Sequence, residues 1–255
     1  MKFTDLDRKM RVYETSHDHC VLPGIHLVAR IDGRCFSTLT KEIHDFEAPY
    51  DERFRDYMVT TIKHLMNCGF RVIFAYSQSD EINLLLHIDE SSFSRKLRKY
   101  NSIFAGEASA AFSLAFGHLG AFDCRISQLP QLEDVINYFQ WRQDDAHRNA
   151  LNGHCYWYYR KQGKTDTESH KLLMKVSNAD KNELLFSKAQ INFNELPAWQ
   201  RRGFGLYWKK VQKEGTNPKT GETVISYKKE LCLDLDLPMK QDFSDFIYKL
   251  IETNR

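Results

Sequence analysis

No stretch of this 255-residue chain approaches eighteen uninterrupted apolar residues, which excludes a membrane-spanning helix. Charge of one sign is equally scarce in excess: 36 Lys and Arg against 34 Asp and Glu leave +2, so no global field draws the chain onto nucleic acid or membrane. Any polyanion site must therefore be local. The six cysteines (Cys20, Cys35, Cys68, Cys124, Cys155, Cys232) include no CxxC pair, which argues against a zinc ribbon or a disulfide framework and for reduced thiols in a cytoplasmic compartment. The opening MKFTDLDRKMRVYETSHDHC is charged throughout and has no apolar core of the kind a signal peptide carries. The phosphate-cradling GxxxxGK[ST] and the nucleophile motif GxSxG are absent, and no repeat or low-complexity segment interrupts the chain. What remains is 42% hydrophobic and rich in aromatics, with 17 Phe, 12 Tyr and 4 Trp. That is enough for one large core or two smaller ones.

Periodicity divides the first half cleanly. HLVARID (26–32) alternates as a strand ending in Asp-Gly, and from Asp51 apolar residues recur at three and four positions until Gly69, as in an amphipathic helix. RVIFAY (71–76) and INLLLHI (82–88) read as hairpin strands around the polar turn SQSDE. Phe93 to Ala115 then reads as a long second helix, and AFDCRIS as a fourth strand closed by Pro130. The order βαββαβ predicts an α+β, ferredoxin-like sheet in which the first and second strands run parallel with the third antiparallel between them. In that topology the end of the first strand and the hairpin turn share one edge, so Asp32 and Asp80 are predicted neighbours. The second half reads as a helix over 132–159, a polar break, further helix through Leu173 and a capped start at SNADKNELLF. A β-hairpin around GTNPKTGE and a closing helix over 243–251 follow. A boundary near Pro130 predicts a catalytic unit over 1–130 and a helical and hairpin unit over 131–255, packed tightly because no flexible linker marks the join.

Two carboxylates converging at the ends of strands suit hard divalent cations that bridge phosphates, and Gly33 lets the backbone beside Asp32 approach a hydrated ion. Asp32-Gly33 as a plain turn and Asp80-Glu81 as a solvated hairpin tip remain the structural alternative. Arg95, Lys96, Arg98 and Lys99 open the second helix, expected close behind the acidic hairpin, where they could neutralise phosphate or simply form a solvated face. Arg30 shares a strand face with Asp32 and needs an anionic partner, Asp32 itself being the nearest. His147 and His154 face the same way on a helix, but no carboxylate or cysteine pattern completes a metal site, and buried histidines are the expected outcome.

Taken together, RIDGRCF, YSQSDE, WRQDDAHRNALNG, ADKNELLFSKAQINFNELP, RRGFGLYW and a PKTGE turn resemble the tRNA(His) guanylyltransferase family and its guanylyltransferase-like relatives, in the expected order over most of the chain. The resemblance implies a polymerase-type palm that adds nucleotides to the 5′ end of tRNA in the 3′-to-5′ direction. The 5′ end is activated with ATP or GTP, joined to an incoming nucleotide, and relieved of pyrophosphate. It implies two Mg²⁺ ions held by Asp32, the Gly33 carbonyl and Asp80, with Glu81 as a further catalytic acid. Nucleotide contacts fall to Arg30, Gly33, Arg34, Cys35, Phe36, Ser79, Lys96 and Lys99. Contacts to tRNA fall to His147, Asn149, Asn152, Lys181, Arg201 and Lys209, with further basic stripes at Arg202, Lys210 and Lys213. The family's habit of assembling as dimers of dimers implies a homotetramer. HRNALNG stands where the tRNA(His)-type enzymes carry HINNLYN, a departure that favours templated repair of truncated 5′ ends over G addition to one tRNA. Two alternatives share parts of this chemistry: a palm-fold nucleotidyl cyclase, which needs no RNA, and a non-catalytic RNA-binding module, against which the sequence shows no RNP-like aromatic pattern.

Overall fold

The computed structural model describes residues 2–40, 46–216 and 223–254. After an N-terminal helix α1 (Phe3–Thr15), the chain forms β1 (His26–Gly33), a single helical turn α2 (Phe36–Thr38), α3 (Glu52–Leu65), the hairpin β2 (Val72–Gln78) and β3 (Glu81–Leu86), α4 (Leu97–Phe116) and β4 (Phe122–Leu129). The second half adds α5 (Leu132–Lys161), α6 (Asp166–Leu173), α7 (Asn178–Ala189), α8 (Ala198–Arg202), the hairpin β5 (Phe204–Thr216) and β6 (Thr223–Asp234), and α9 (Lys240–Thr253). Local chemistry sets several of these limits. Asp51 caps α3 by accepting from the backbone N–H of Arg53 at 2.7 Å and of Phe54 at 3.4 Å, and Ser177 caps α7 by accepting from Asp180 N–H at 3.1 Å. The capped start expected at SNADKNELLF is thus α7.

All six strands belong to one antiparallel sheet in the order β4-β1-β3-β2-β5-β6. β3 lies between β1 and β2, antiparallel to both, as the βαββαβ order requires. The alternation along β1 decides the layers. Leu27, Ala29 and Ile31 face Met58, Ile62, Leu65, Phe104 and Phe112 of α3 and α4. Val28, on the opposite face, joins Phe74, Tyr76 and Leu85 against Val135 and Phe139 of α5 and Phe243 and Ile247 of α9. α5 is long enough, at 30 residues and about 1.5 Å per residue, to cross that face and project past the end of the sheet. There its second half packs on α6, α7 and the turn that follows them through Leu151, Cys155, Leu173, Leu185 and Phe193.

Four features depart from the sequence reading. Residues 3–15, read as a polar lead, form α1, which buries none of its side chains. Phe93, Ser94 and Arg95 adopt φ of 54°, 54° and 57°, so the second helix starts only at Leu97. The C-terminal hairpin is not an appendage beside the sheet: β5 pairs with β2 from Phe74–Tyr207 to Ser77–Phe204 and extends it. Its PKTGE turn lies outside the described residues. Finally, β3 carries the chain away from the acidic turn, about 3.3 Å per residue over six residues, before α4 begins. Lys96 and Lys99 therefore lie at the opposite end of the sheet from Asp80, not close behind it. Lys96 pairs there with Asp18 at 2.7 Å, and Lys99 sits 5.6 Å over the Phe93 ring.

Buried without a partner for Nε2, His154 packs between Tyr50 and Phe193, and burial pushes its pKa down to about 4. A folded pKa below the ordinary 6.5 means the unfolded chain takes up the proton first, so stability present above pH 6.5 is lost as pH falls toward 4, by up to about 3 kcal/mol. Thermal melts of His154→Phe, which suits the aromatic surroundings, should lose much less stability than wild type between pH 7 and pH 5. An identical slope would remove His154 as the cause.

Candidate active site

The site grows from the meeting of two loops. Asp32-Gly33 ends β1, and Ser79-Asp80 turns the β2–β3 hairpin with Ser79 in the left-handed region at φ 52°. The Gly33 N–H donates to the Asp80 carbonyl at 3.1 Å and ties the two together. Glycine is required at 33 by space: a Cβ there would fall 2.6 Å from the Phe36 ring and 2.8 Å from Asp80 Oδ2. Neither neighbour can yield freely, since Phe36 is buried against Phe54, Phe112 and Phe122. Gly33→Ala is therefore expected to cost about 1–3 kcal/mol of stability and, by displacing Asp80, to lower turnover more than tenfold. Urea denaturation and single-turnover assays check the two separately.

Burial pushes the Asp80 carboxyl up to about 6, and the nearby charges of Asp32 and Glu81 push in the same direction, while the Asp80 backbone N–H and the Ser79 hydroxyl, both donating to it, work against the rise. Glu81 behaves differently. Its carboxylate accepts from Arg142 Nε and Nη2, each at 2.7 Å, and pairs with Arg30 at 2.6 Å, while Asn83 Nδ2 donates to Oε1 at 2.8 Å. Both oxygens are thus occupied, and Glu81, placed by the sequence among the catalytic acids, instead clamps β1 and α5 to β3. Arg30 reaches Asp32 as well, at 3.3 Å, so its anionic partner is shared between two acids. Asp32 also faces Arg125 at 3.8 Å across the β1–β4 pair.

Beside Asp80 opens a cavity of about 360 Å³ lined by Phe36, Ser37, Thr40, Phe46, Glu47, Ala48, Pro49, Phe54, Ser79 and Trp157. Trp157 comes from the projecting half of α5, which explains why the sequence did not reveal it: its place depends on the length of that helix beyond the sheet. A smaller hollow of about 80 Å³ continues toward Tyr50, Arg55 and Trp199, and Arg55 lies 4.8 Å over the Trp199 ring. Aromatic walls suit a flat heterocycle, and the carboxylate beside them would accept an anionic tail only through a bridging cation.

Of the residues expected to contact nucleotide, Arg30, Gly33, Arg34, Cys35, Phe36 and Ser79 gather around this edge; Arg34 and Cys35 are exposed. Those expected to contact tRNA are dispersed. Asn149 and Asn152 fall on the opposite face of α5 from His147, and Asn149 donates to Asp145 at 3.2 Å. His147 meets the Phe193 edge, and burial followed by the Arg201 charge lowers its pKa. Arg201 donates to the Leu196 carbonyl at 2.8 Å, Lys181 sits on α7, and Lys209 lies 5.2 Å over the Tyr207 ring on β5. Sequence reasoning missed Arg142; the signal was an Arg one turn beyond Tyr138 on the buried face of α5, where Tyr138 donates to Asn83 at 2.7 Å.

Among the described residues no group of three or more His, Cys, Asp or Glu side chains is arranged to hold a metal by itself. Two carboxylates and one backbone carbonyl do fit a hard cation that takes its remaining ligands from phosphate and water, as Mg²⁺ does. The penalised charge on Asp80 beside Asp32 is what such an ion would relieve.

A sheet with a paired-carboxylate edge, opening on an aromatic cavity, defines a nucleotide-handling α+β protein. The profile of the tRNAHis guanylyltransferase (Thg1) family matches residues 7–130, and that of the Thg1 C-terminal domain matches residues 133–236. The chain is 33% identical over 224 residues to a probable tRNA(His) guanylyltransferase of Dictyostelium discoideum, covering 84% of this chain and 86% of that one. It is 32% identical over 203 residues to a Drosophila melanogaster counterpart, covering 76% and 71%. Among solved structures, a bacterial Thg1-like protein in complex with ATP superposes with a TM-score of 0.78 at 25% identity, over 98% of this chain and 99% of that one. The same type of protein in complex with GTP gives 0.76 at 25% identity, covering 97% and 99%. The Saccharomyces cerevisiae tRNA(His) guanylyltransferase gives 0.69 at 28% identity, covering 77% and 91%. The chain belongs to the Thg1 family and is a nucleotidyltransferase of that family, whose reaction is 3′-to-5′ nucleotide addition to the 5′ end of tRNA. No helix among the described residues is long and apolar enough to cross a membrane.

Proposed function

We propose that this chain repairs tRNA 5′ ends. It activates a 5′-monophosphate with ATP or GTP and then joins an incoming nucleotide chosen by pairing with the tRNA's opposite strand. The observation that carries this reading is the junction of Asp32-Gly33 with Ser79-Asp80 at the mouth of an aromatic cavity. In this reading the ferredoxin-like strands over 1–130 act as a polymerase-type palm, and 131–255 supply the α5 wall and RNA contacts. Asp32, Asp80 and the Gly33 carbonyl would hold two Mg²⁺ ions, which supply charge neutralisation where triphosphate and 5′ end approach each other. The protein's own part is placement. Ser79 keeps the Asp80 carboxylate hydrogen-bonded, Glu81 with Arg142 fixes the strand ends behind both acids, and Phe36, Phe46 and Trp157 exclude water around a base. Lys96 and Lys99, at the start of α4 and the opposite end of the sheet from Asp80, lie too far away to serve that triphosphate from the same chain and fit RNA phosphate instead. The uncovered α1, with Met10 and Tyr13 exposed one turn apart, supports assembly into a homotetramer.

Extension of a tRNA lacking its first nucleotide, with each nucleoside triphosphate supplied separately, tests the reading. Template-matched addition to several tRNAs is expected. Single G addition confined to tRNA(His) would replace repair with the narrower activity, and a cyclic product formed without RNA would replace both.

A further inference from the structure

The short turn that carries Asp80 stands on two posts. Gln78 ends β2, Glu81 begins β3, and the two face each other in register across the hairpin. The Glu81 post is fixed from α5 and β1, by Arg142 and Arg30. The Gln78 post is fixed from elsewhere: it is 7% exposed, and its side-chain amide donates to the hydroxyl of Tyr50.

Tyr50 belongs to the loop that walls the aromatic cavity. Phe46, Glu47, Ala48 and Pro49, just before it, line the larger hollow, and Tyr50 and Ser79 both line the smaller one. The loop is closed on itself, because the Glu47 N–H donates at 2.8 Å to Oδ2 of Asp51, the residue that also caps α3. The Tyr50 ring lies 5.7 Å from His154 of α5 and 5.9 Å from Trp199 of α8, the latter nearly perpendicular at 83°. Two aromatic neighbours of this kind restrict where a ring points, so the hydroxyl meets Gln78 only while the loop keeps its place. A base seated in the cavity presses on 46–49, and a cation at Asp32 and Asp80 needs the turn in one position. Tyr50 touches both parts, and two ligands that favour the same arrangement strengthen each other's binding reciprocally.

We propose that Tyr50 is a positioning residue that, given the Mg²⁺ site proposed above, couples occupancy of the aromatic cavity by a base to the placement of Asp80. Nucleotide and divalent cation then bind cooperatively through the protein, in addition to any bridge the phosphates make.

A nucleoside, which has no phosphate to bridge, isolates this coupling. Mn²⁺ binding, read by electron paramagnetic resonance with and without saturating adenosine or guanosine, is compared in wild type and Tyr50→Phe, which keeps the ring and loses the hydroxyl. In wild type the nucleoside is expected to tighten Mn²⁺ binding about fivefold, and in the variant less than about twofold. Nucleoside affinity without metal should be unchanged, and single-turnover extension should slow about tenfold at an unchanged KM for ATP. Equal tightening in the variant would overturn the proposal, and weaker nucleoside binding without metal would do so by making Tyr50 a ligand contact. If Tyr50→Phe lowers the melting temperature, Gln78→Met removes the same bond from the other side and should show the same loss of coupling. A wild type that binds no Mn²⁺ in any condition would overturn the metal reading and this one together, whereas Mn²⁺ binding that ignores the nucleoside would overturn the coupling alone. Binding is read without RNA, so a wild type that shows the coupling yet extends no 5′ end would sink the repair reading and leave this one standing.

Discussion

Asp80→Asn should cost the enzyme a thousandfold or more in turnover while making the protein more stable. Asparagine keeps the shape of the turn and can still pack beside Gly33, so the fold has no reason to fail. What disappears is the second negative charge at the strand edge, and a thousandfold corresponds to about 4 kcal/mol of transition-state stabilisation. Burial, with Asp32 and Glu81 adding to it, already penalises ionised Asp80 in the protein alone. Neutralising it should therefore add about 1–2 kcal/mol to unfolding stability without divalent ions. Urea denaturation in chelator, paired with single-turnover extension of a truncated tRNA, separates the two effects. A variant retaining a tenth of wild-type turnover would remove Asp80 from the reaction. One that lost both activity and stability would make the residue structural.

The juxtaposition behind this expectation was legible from sequence because it follows from topology. Once 26–32, 71–76 and 82–88 are strands in the order βαββαβ, the end of the first and the turn between the others must share an edge. Distances that depend on where a helix starts were not legible in the same way. Lys96 and Lys99 look close to Asp80 along the chain, yet β3 and the irregular turn at Phe93 to Arg95 carry them to the other end of the sheet. The β5–β6 hairpin looked separate because nothing in its own pattern states that β5 will pair with β2, a strand from the other half of the chain. Local pattern records which residues form a strand, while partner choice is settled by what remains uncovered after α3, α4, α5 and α9 have packed. Trp157 was hidden for a related reason: α5 reads correctly as a helix, but its reach past the sheet into the cavity is a three-dimensional consequence of its length.

Arg142 shows the energetic side of the same point. Its side chain is 4% exposed and makes a two-pronged bond to Glu81, whose side chain is 9% exposed, across 61 residues of sequence. Arg142→Met fits the volume but leaves Glu81 with Arg30 and Asn83 only, and removing one partner of a buried pair costs about 3–5 kcal/mol. Arg30 limits the damage, so the lower end of that range is expected. In the double variant Arg142→Met/Glu81→Gln no buried carboxylate is left short of charge, and about 1–2 kcal/mol should return, the single amide oxygen of glutamine still accepting from Arg30 or from Asn83. The double-mutant cycle, read by urea denaturation, thus gives a coupling of the size expected for a buried pair. Activity should follow a different course. With Glu81 no longer clamped to α5, the β3 end that carries Asp80 loses its fixed position, so turnover on truncated tRNA should stay at least tenfold below wild type even where stability recovers. If stability and turnover recovered together, Glu81 and Arg142 would only hold the fold. If neither variant changed turnover, the clamp behind the acidic edge would have no part in positioning it.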